Sequence, residues 1–172
     1  SNPGKEHLIL ERANTRVGLF TELGRSFMGP KVACPFFTAD RIVNDLQTQD
    51  VEQIICEIHA ETTSEKESIG WYLDGRVSLV FGTHTHVPTI DGRILPKGTA
   101  YQTDLGMTGP RESVLGREID ACVRRFLDGM PRKCPVAEKD VGMQGCVIEV
   151  SNESPRNSVS YQRIEIRDNE ID

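Results

Sequence analysis

The sequence predicts an α/β protein with a mixed β-sheet flanked by helices, and two observations carry that prediction. In the middle of the chain, a strand pattern, a helix pattern and a second strand pattern follow one another over 53–59, 64–73 and 77–81. Both strand segments are short apolar runs, which is typical of parallel strands covered by helices. Near the carboxyl terminus, two further segments predict an antiparallel pair over 145–151 and 158–167.

The amino-terminal part is predicted to hold a strand pair and a helix. Segments 7–11 and 16–23 have strand character, and the Asn-Thr pair at 14–15 is a probable turn between them. Apolar residues at i, i+3, i+4 and i+7 then predict a helix over 38–48, with Thr38 available to cap its start.

Two local signals refine the central part. Ser64 followed by Glu67 is a capping-box pattern at the start of the second helix. The Asp-Gly pair at 91–92 is a strong hairpin signal, so we expect 88–90 to pair with 93–95.

A strand over 99–103 and a strongly amphipathic helix over 117–128 are predicted next. The helix ends at Gly129, and its apolar residues form one stripe: Ile119, Cys122, Val123, Phe126 and Leu127. No internal repeat or linker interrupts the sequence, so we expect a single domain over 1–172.

Composition excludes several classes of protein. The 172 residues are 37% hydrophobic and 27% charged, which is typical of a soluble globular chain long enough to bury a core. No apolar run approaches the ~20 residues needed to span a bilayer. The formal net charge of -6 argues against a surface that binds duplex nucleic acid.

The cysteines indicate a reducing compartment. There are five of them, an odd number, and no two form a CxxC pair. A secreted disulfide framework favours an even number, so we expect a cytoplasmic protein.

Three histidines stand where the two central strands end. His59 closes the first strand, and His84 and His86 follow the second. In a right-handed βαβ unit both strands end at the same edge of the sheet, where neighbouring strands lie about 4.8 Å apart. We therefore expect the three imidazoles to share one pocket and to bind transition metals, whose identity this residue type does not fix.

Each of these residues also has a simpler interpretation. A histidine at a strand end is commonly a hydrogen-bonded structural residue, and an H-x-H pair often binds nothing. The nearby carboxylates that could bridge two ions are Glu57, Glu61 and Asp104. Glu57 fits a strand position better than a metal bridge, Glu61 could orient a histidine, and Asp104 could support a ligand or bind substrate. Lys66 could reach a phosphate from the helix start or could be a solvated surface lysine.

Four segments carry a resemblance to a known family. Residues 58–66, 70–77, 82–87 and 98–109 resemble the YmdB-type metallophosphoesterases, relatives of the calcineurin-like phosphoesterases. The resemblance implies a two-sheet sandwich and a metal-dependent phosphodiesterase acting on small phosphodiesters such as 2′,3′-cyclic nucleotides. It also implies two divalent ions (Fe, Mn or Zn) and attack on phosphorus by a hydroxide that bridges them.

Carried over to this sequence, the resemblance makes His59 and His84 ligands of one metal and His86 a ligand of the other. The family's metal-binding aspartate, its Glu-Asn pair and its Asn-His pair, which holds the general acid, are absent. We therefore expect a carboxy-terminal portion of a metallophosphoesterase domain, without a catalytic acid of its own and inactive alone.

Two further expectations follow from that interpretation. The sheet should expose an apolar edge or face, and the chain should self-associate or bind the missing amino-terminal segment. The alternatives are a non-catalytic binding or scaffold module with a degenerate phosphoesterase fold, and a mononuclear zinc hydrolase built on the three histidines. No duplex nucleic acid or membrane is expected as a partner.

Overall fold

The computed structural model describes residues 4–29 and 31–168, and in these residues two sheets and three helices are present. In chain order the elements are β1 His7–Arg12, β2 Thr15–Leu23, α1 Pro35–Thr48, β3 Gln53–His59, α2 Thr63–Leu73, β4 Leu79–Thr83, β5 Arg93–Ile94, β6 Ala100–Gln102, β7 Gly109–Pro110, α3 Ile119–Asp128, β8 Val141–Val150 and β9 Ser158–Arg167. Among these helices, none is long and apolar enough to cross a membrane.

The larger sheet has six strands in the order β1-β2-β3-β4-β6-β5. Strands β2, β3, β4 and β6 run parallel, and the outer strands β1 and β5 are antiparallel to their neighbours. Strands β7, β8 and β9 form a second, antiparallel sheet. The mixed α/β fold, the central βαβ unit and the carboxy-terminal strand pair are therefore confirmed.

The hydrophobic core lies between the larger sheet and helices α1 and α2. Strand β3 shows how the sheet divides: Ile54, Cys56 and Ile58 are fully buried on the helix side, whereas Glu57 and His59 point to the other face and are half-buried. Complete burial of an aliphatic side chain contributes about 1.5–3 kcal/mol, so this alternation fixes which face β3 turns toward the helices.

The other face of the larger sheet is only partly covered, and we call its β1–β3 part the open face. Leu8 pairs with Leu19 and Leu19 with Ile55, which places the three side chains on this face. Leu8 and Leu10 remain 47% and 56% exposed. An apolar exposed face was expected, and the structure shows one. What covers it stays a prediction.

Three local predictions were wrong. The Asp-Gly pair at 91–92 is not a hairpin between 88–90 and 93–95, because β5 pairs with β6 and the Asp91 carboxylate accepts a hydrogen bond from Thr103 N instead. The predicted capping box is also absent: α2 begins at Thr63 without a side-chain cap. Helix α1 begins before 38, because Pro35 fits the first helical turn, where its missing N–H costs nothing.

Helix α3 ends as predicted at Gly129, which adopts a left-handed φ of 67°. Its apolar stripe, however, does not join the core. Cys122 is the buried residue of this helix, whereas Phe126 and Leu127 are 85% and 80% exposed. Amphipathicity predicted the helix but not what packs against it.

Candidate metal centre

The carboxyl edge of the larger sheet brings two of the three histidines together. His59 ends β3 and lies in register with Thr83, the last residue of β4, so that His84 follows directly beside it. The two rings meet edge to face with centroids 4.9 Å apart. His59 Nε2 and His84 Nδ1 are separated by 3.1 Å.

The tautomer of His59 follows from its contacts. The Thr83 hydroxyl donates its only proton to Glu57 Oε1 over 2.7 Å, because a carboxylate can only accept. The same hydroxyl lies 3.0 Å from His59 Nδ1 and must therefore accept a hydrogen bond from it. The proton of His59 is thus on Nδ1, and Nε2 carries a lone pair.

His84 is held in a comparable way. Its Nε2 lies 2.8 Å from Glu61 Oε2, which favours a proton on Nε2 and a lone pair on Nδ1. That lone pair faces the lone pair of His59 Nε2. The contact becomes favourable once a positive charge lies between the two nitrogens. A second proton on His84 or a metal ion would supply that charge.

A divalent transition metal fits this arrangement. Metal–imidazole bonds of about 2.0–2.1 Å allow two nitrogens 3.1 Å apart to bind one ion. Behind each ring stands a carboxylate, Glu61 directly and Glu57 through Thr83, which is the usual support of metal-binding histidines. Glu61 contacts a histidine, and the prediction that it orients this histidine for metal binding stays a prediction.

His86 does not join the pair. It is exposed, and among the described residues it makes no hydrogen bond or ion pair. Within that same part of the chain, no three His, Cys, Asp or Glu side chains are grouped so that they could hold an ion. The structure thus assembles two of the three predicted ligands, and the ligand role of His86 stays a prediction.

The loop that carries the histidines has an unusual backbone. His84 and His86 have φ values of 98° and 64°, in the left-handed region. This conformation costs a non-glycine residue energy, so it persists only where surrounding contacts hold it. Thr85, between them, donates from its N and its Oγ1 to Asp104 Oδ2 over 3.1 and 2.7 Å. Asp104 therefore fixes the centre of this loop.

Asp104 is itself held by a buried ion pair. Its Oδ2 accepts a hydrogen bond of 2.8 Å from Lys66 Nζ, and both side chains are 1% exposed. The interpretation of Lys66 as a solvated surface lysine is therefore wrong. A Cβ on Gly82 would stand 2.7 Å from Lys66 Cδ and 1.8 Å from Thr103 O, so glycine makes room for the buried lysine and the adjoining strand.

Sequence reasoning missed the part that Thr83 and Thr21 play. Thr21 on β2 donates to Glu57 Oε2 over 2.8 Å, so the carboxylate is held from both neighbouring strands. A signal was present: Glu57 and His59 are two residues apart and share a face of β3. Which threonines face them depends on strand register, which this sequence alone did not supply.

Comparison with known proteins identifies the family. A family model described as "YmdB-like protein" matches residues 1–164. A Bacillus subtilis protein named 2′,3′-cyclic-nucleotide 2′-phosphodiesterase is 40% identical over 169 residues, which cover 98% of this chain and 63% of that protein. A Mycoplasma pneumoniae protein named putative phosphatase/phosphodiesterase is 37% identical, over 87% of this chain and 53% of its own length.

Solved structures give the same result. A hypothetical protein from Thermus thermophilus superposes with a TM-score of 0.87 at 37% identity, covering 96% of this chain and 63% of that one. A structure described as a novel phosphatase from Mycoplasma pneumoniae gives 0.85 at 34% identity, covering 95% and 58%. This chain thus spans less than two thirds of these relatives. It belongs to the YmdB-like protein family.

Proposed function

We propose that this chain is part of a metal-dependent phosphodiesterase that hydrolyses small phosphodiesters such as 2′,3′-cyclic nucleotides. The observation that carries the proposal is the pair of imidazole nitrogens, His59 Nε2 and His84 Nδ1, which face each other 3.1 Å apart with their protons directed elsewhere. The names of the Bacillus subtilis and Mycoplasma pneumoniae relatives support the reaction and the substrate class.

In the proposed reaction, two divalent ions (Fe, Mn or Zn) would screen the phosphate charge and lower the pKa of a water molecule. The protein's part is positional. His59 and His84 would bind one ion through the nitrogens that face each other, Glu57 and Glu61 keep the opposite nitrogens protonated, and His86 would bind the second ion.

We expect the 172-residue chain by itself to bind metal weakly and to turn over little substrate. The described residues bring together two imidazoles and no complete ligand group, so an ion there would keep several positions filled by water. A general acid is also not assigned among them. The amino-terminal segment expected from the family resemblance is proposed as a partner that completes the site.

We also propose a cytoplasmic location. All five cysteines are free thiols in the structure, although Cys122 and Cys134 come close together. Free thiols are typical of a reducing compartment.

Metal binding by purified variants tests the proposal. Titration with Co²⁺, followed by visible absorbance, should show a site in the wild-type chain that His59→Ala and His84→Ala each abolish. His7→Ala is the matched control, because it also removes an imidazole, but from β1, where the neighbour of His7 is Asp45 at 3.8 Å and not the histidine pair. Equal Co²⁺ binding by all four proteins would contradict the proposal.

Hydrolysis of a 2′,3′-cyclic nucleotide tests the reaction separately. With Mn²⁺ present, the chain should show low turnover that His84→Ala removes. Turnover that survives in His84→Ala would exclude the metal pair as its source. Metal binding without any turnover, even after addition of the amino-terminal segment of a family member, would favour the non-catalytic scaffold module.

A further inference from the structure

Helix α3 presents an apolar surface to solvent. Ile119 and Val123 are 41% and 45% exposed, and Phe126 and Leu127 are exposed almost completely. We call these four residues the α3 stripe. They lie at i, i+4, i+7 and i+8, so they occupy one side of the helix.

The α3 stripe is larger than scattered surface hydrophobics would produce. Single exposed apolar residues are ordinary, whereas a contiguous patch bordered by charges marks an interaction surface. Here the patch coincides with the most strongly amphipathic of the three described helices, and Met130, two residues after the helix, is 60% exposed as well. The helix therefore retains a face suited to another protein surface.

The distribution of charge along α3 indicates which protein surface would bind the α3 stripe. The amino-terminal end carries Glu118 and Asp120, and the following turn carries Arg124 and Arg125. Asp120 and Arg124 are four residues apart and lie on the same border of the stripe. Within the described part of the chain, neither takes part in an ion pair.

A second copy of the same helix, running antiparallel, complements this pattern. In this arrangement a two-fold axis passes near Val123 at right angles to the helix. The border that carries Asp120 and Arg124 in one copy therefore meets the same border in the other copy. Asp120 of each copy then lies near Arg124 of the other. In a parallel pair, whose two-fold axis runs along the helices, these borders lie on opposite sides of the interface, so Asp120 and Arg124 of different copies do not meet.

We propose that the α3 stripe is an isologous interface at which two copies of this chain pair through antiparallel α3 helices. Phe126 and Leu127 would supply most of the apolar contact, because large, well-buried side chains dominate such interfaces. The interface is separate from the open face of the larger sheet and from the histidine pair. It does not depend on the proposed phosphodiesterase activity.

Sedimentation velocity of the 172-residue chain over a range of concentrations tests the pairing. We expect a concentration-dependent dimer whose Kd rises at least about 10-fold in Phe126→Ser, as is typical of an interface hot spot. Leu10→Ser is the control, because it removes an apolar side chain that is 56% exposed on the open face and lies outside the α3 stripe. Its dimer Kd should equal that of the wild type.

A charge exchange tests the antiparallel geometry. Asp120→Arg and Arg124→Asp should each weaken the dimer about 10-fold through like-charge repulsion, and the double variant should return to within about 3-fold of the wild-type Kd. A wild-type chain that stays monomeric at about 100 μM would overturn the proposal. So would a double variant that is no tighter than the single ones, or a dimer lost in Leu10→Ser but kept in Phe126→Ser.

Discussion

The polar side chains at the carboxyl edge of the larger sheet are of two kinds. His59, His84 and Asp104 are anchored, because each has at least one side chain behind it that fixes its orientation. His86 and Glu22 are unanchored: among the described residues His86 makes no polar contact, and Glu22 Oε1 is buried without a hydrogen-bond partner. Residue type and position in the sequence do not distinguish the two kinds. The partners behind each side chain do.

The largest expected effect concerns the anchored Asp104. Asp104→Asn leaves the Lys66 ammonium buried without its charge partner and should cost about 3–5 kcal/mol of unfolding free energy. Urea denaturation measures the loss. The double variant with Lys66→Met removes both charges and should be more stable than Asp104→Asn alone. If the double variant is the less stable of the two, the ion pair is not what anchors the loop.

Removing the anchor of His59 should weaken metal binding without unfolding the protein. Thr83→Val deletes the hydroxyl that holds the proton on Nδ1, and loss of such support typically costs 10–100-fold in metal affinity. Thr21→Val is the matched control, since it deletes the other hydroxyl bonded to Glu57 and does not touch His59. Equal loss of Co²⁺ affinity in the two variants would show that Thr83 has no special role.

The unanchored Glu22 should make stability depend on pH. Burial raises the pKa of Glu22 to about 7 from an ordinary value of 4.5. The folded protein therefore binds a proton that the unfolded chain releases, so stability falls as pH rises from about 4.5 to about 7 and is level above that. Glu22→Gln should be more stable than the wild type at pH 8, by about 3 kcal/mol, and as stable at pH 4. A difference in unfolding free energy between Glu22→Gln and the wild type that is the same at pH 4 and pH 8 would contradict this.

The smallest effect is expected for the unanchored His86. In the 172-residue chain, His86→Ala should change Co²⁺ affinity less than about 2-fold, because among the described residues this side chain is exposed and makes no polar contact, whereas His84→Ala abolishes binding. The same titration compares both. A loss on His86→Ala as large as that on His84→Ala would place His86 within the first metal site.

The anchored positions were only partly predictable. Short apolar runs separated by a helix predicted a parallel pair, and the rule that parallel strands end at one edge brought His59 beside His84. The role of Thr83 was not predictable, because it requires the register of β3 against β4. The sequence alone favours a surface position for Lys66, because the space that Gly82 leaves for its side chain exists only once β4 packs beside α2.

The α3 stripe shows a different limit. Helical periodicity identified the apolar side of α3 correctly, yet a pattern of this kind states which side avoids water and not which surface covers it. The prediction of a hairpin turn at 91–92 was wrong for a related reason. The local Asp-Gly preference lost to the hydrogen bond that the Asp91 carboxylate accepts from Thr103 N.

The central claim is that a metal ion binds between His59 Nε2 and His84 Nδ1. Nitrogen-15 chemical shifts of the histidine rings during titration with Zn²⁺ test it most directly. We predict that Zn²⁺ shifts Nε2 of His59 and Nδ1 of His84, while the opposite nitrogen of each ring keeps its proton. Binding of both rings through Nε2, or no shift in either ring, would contradict the account.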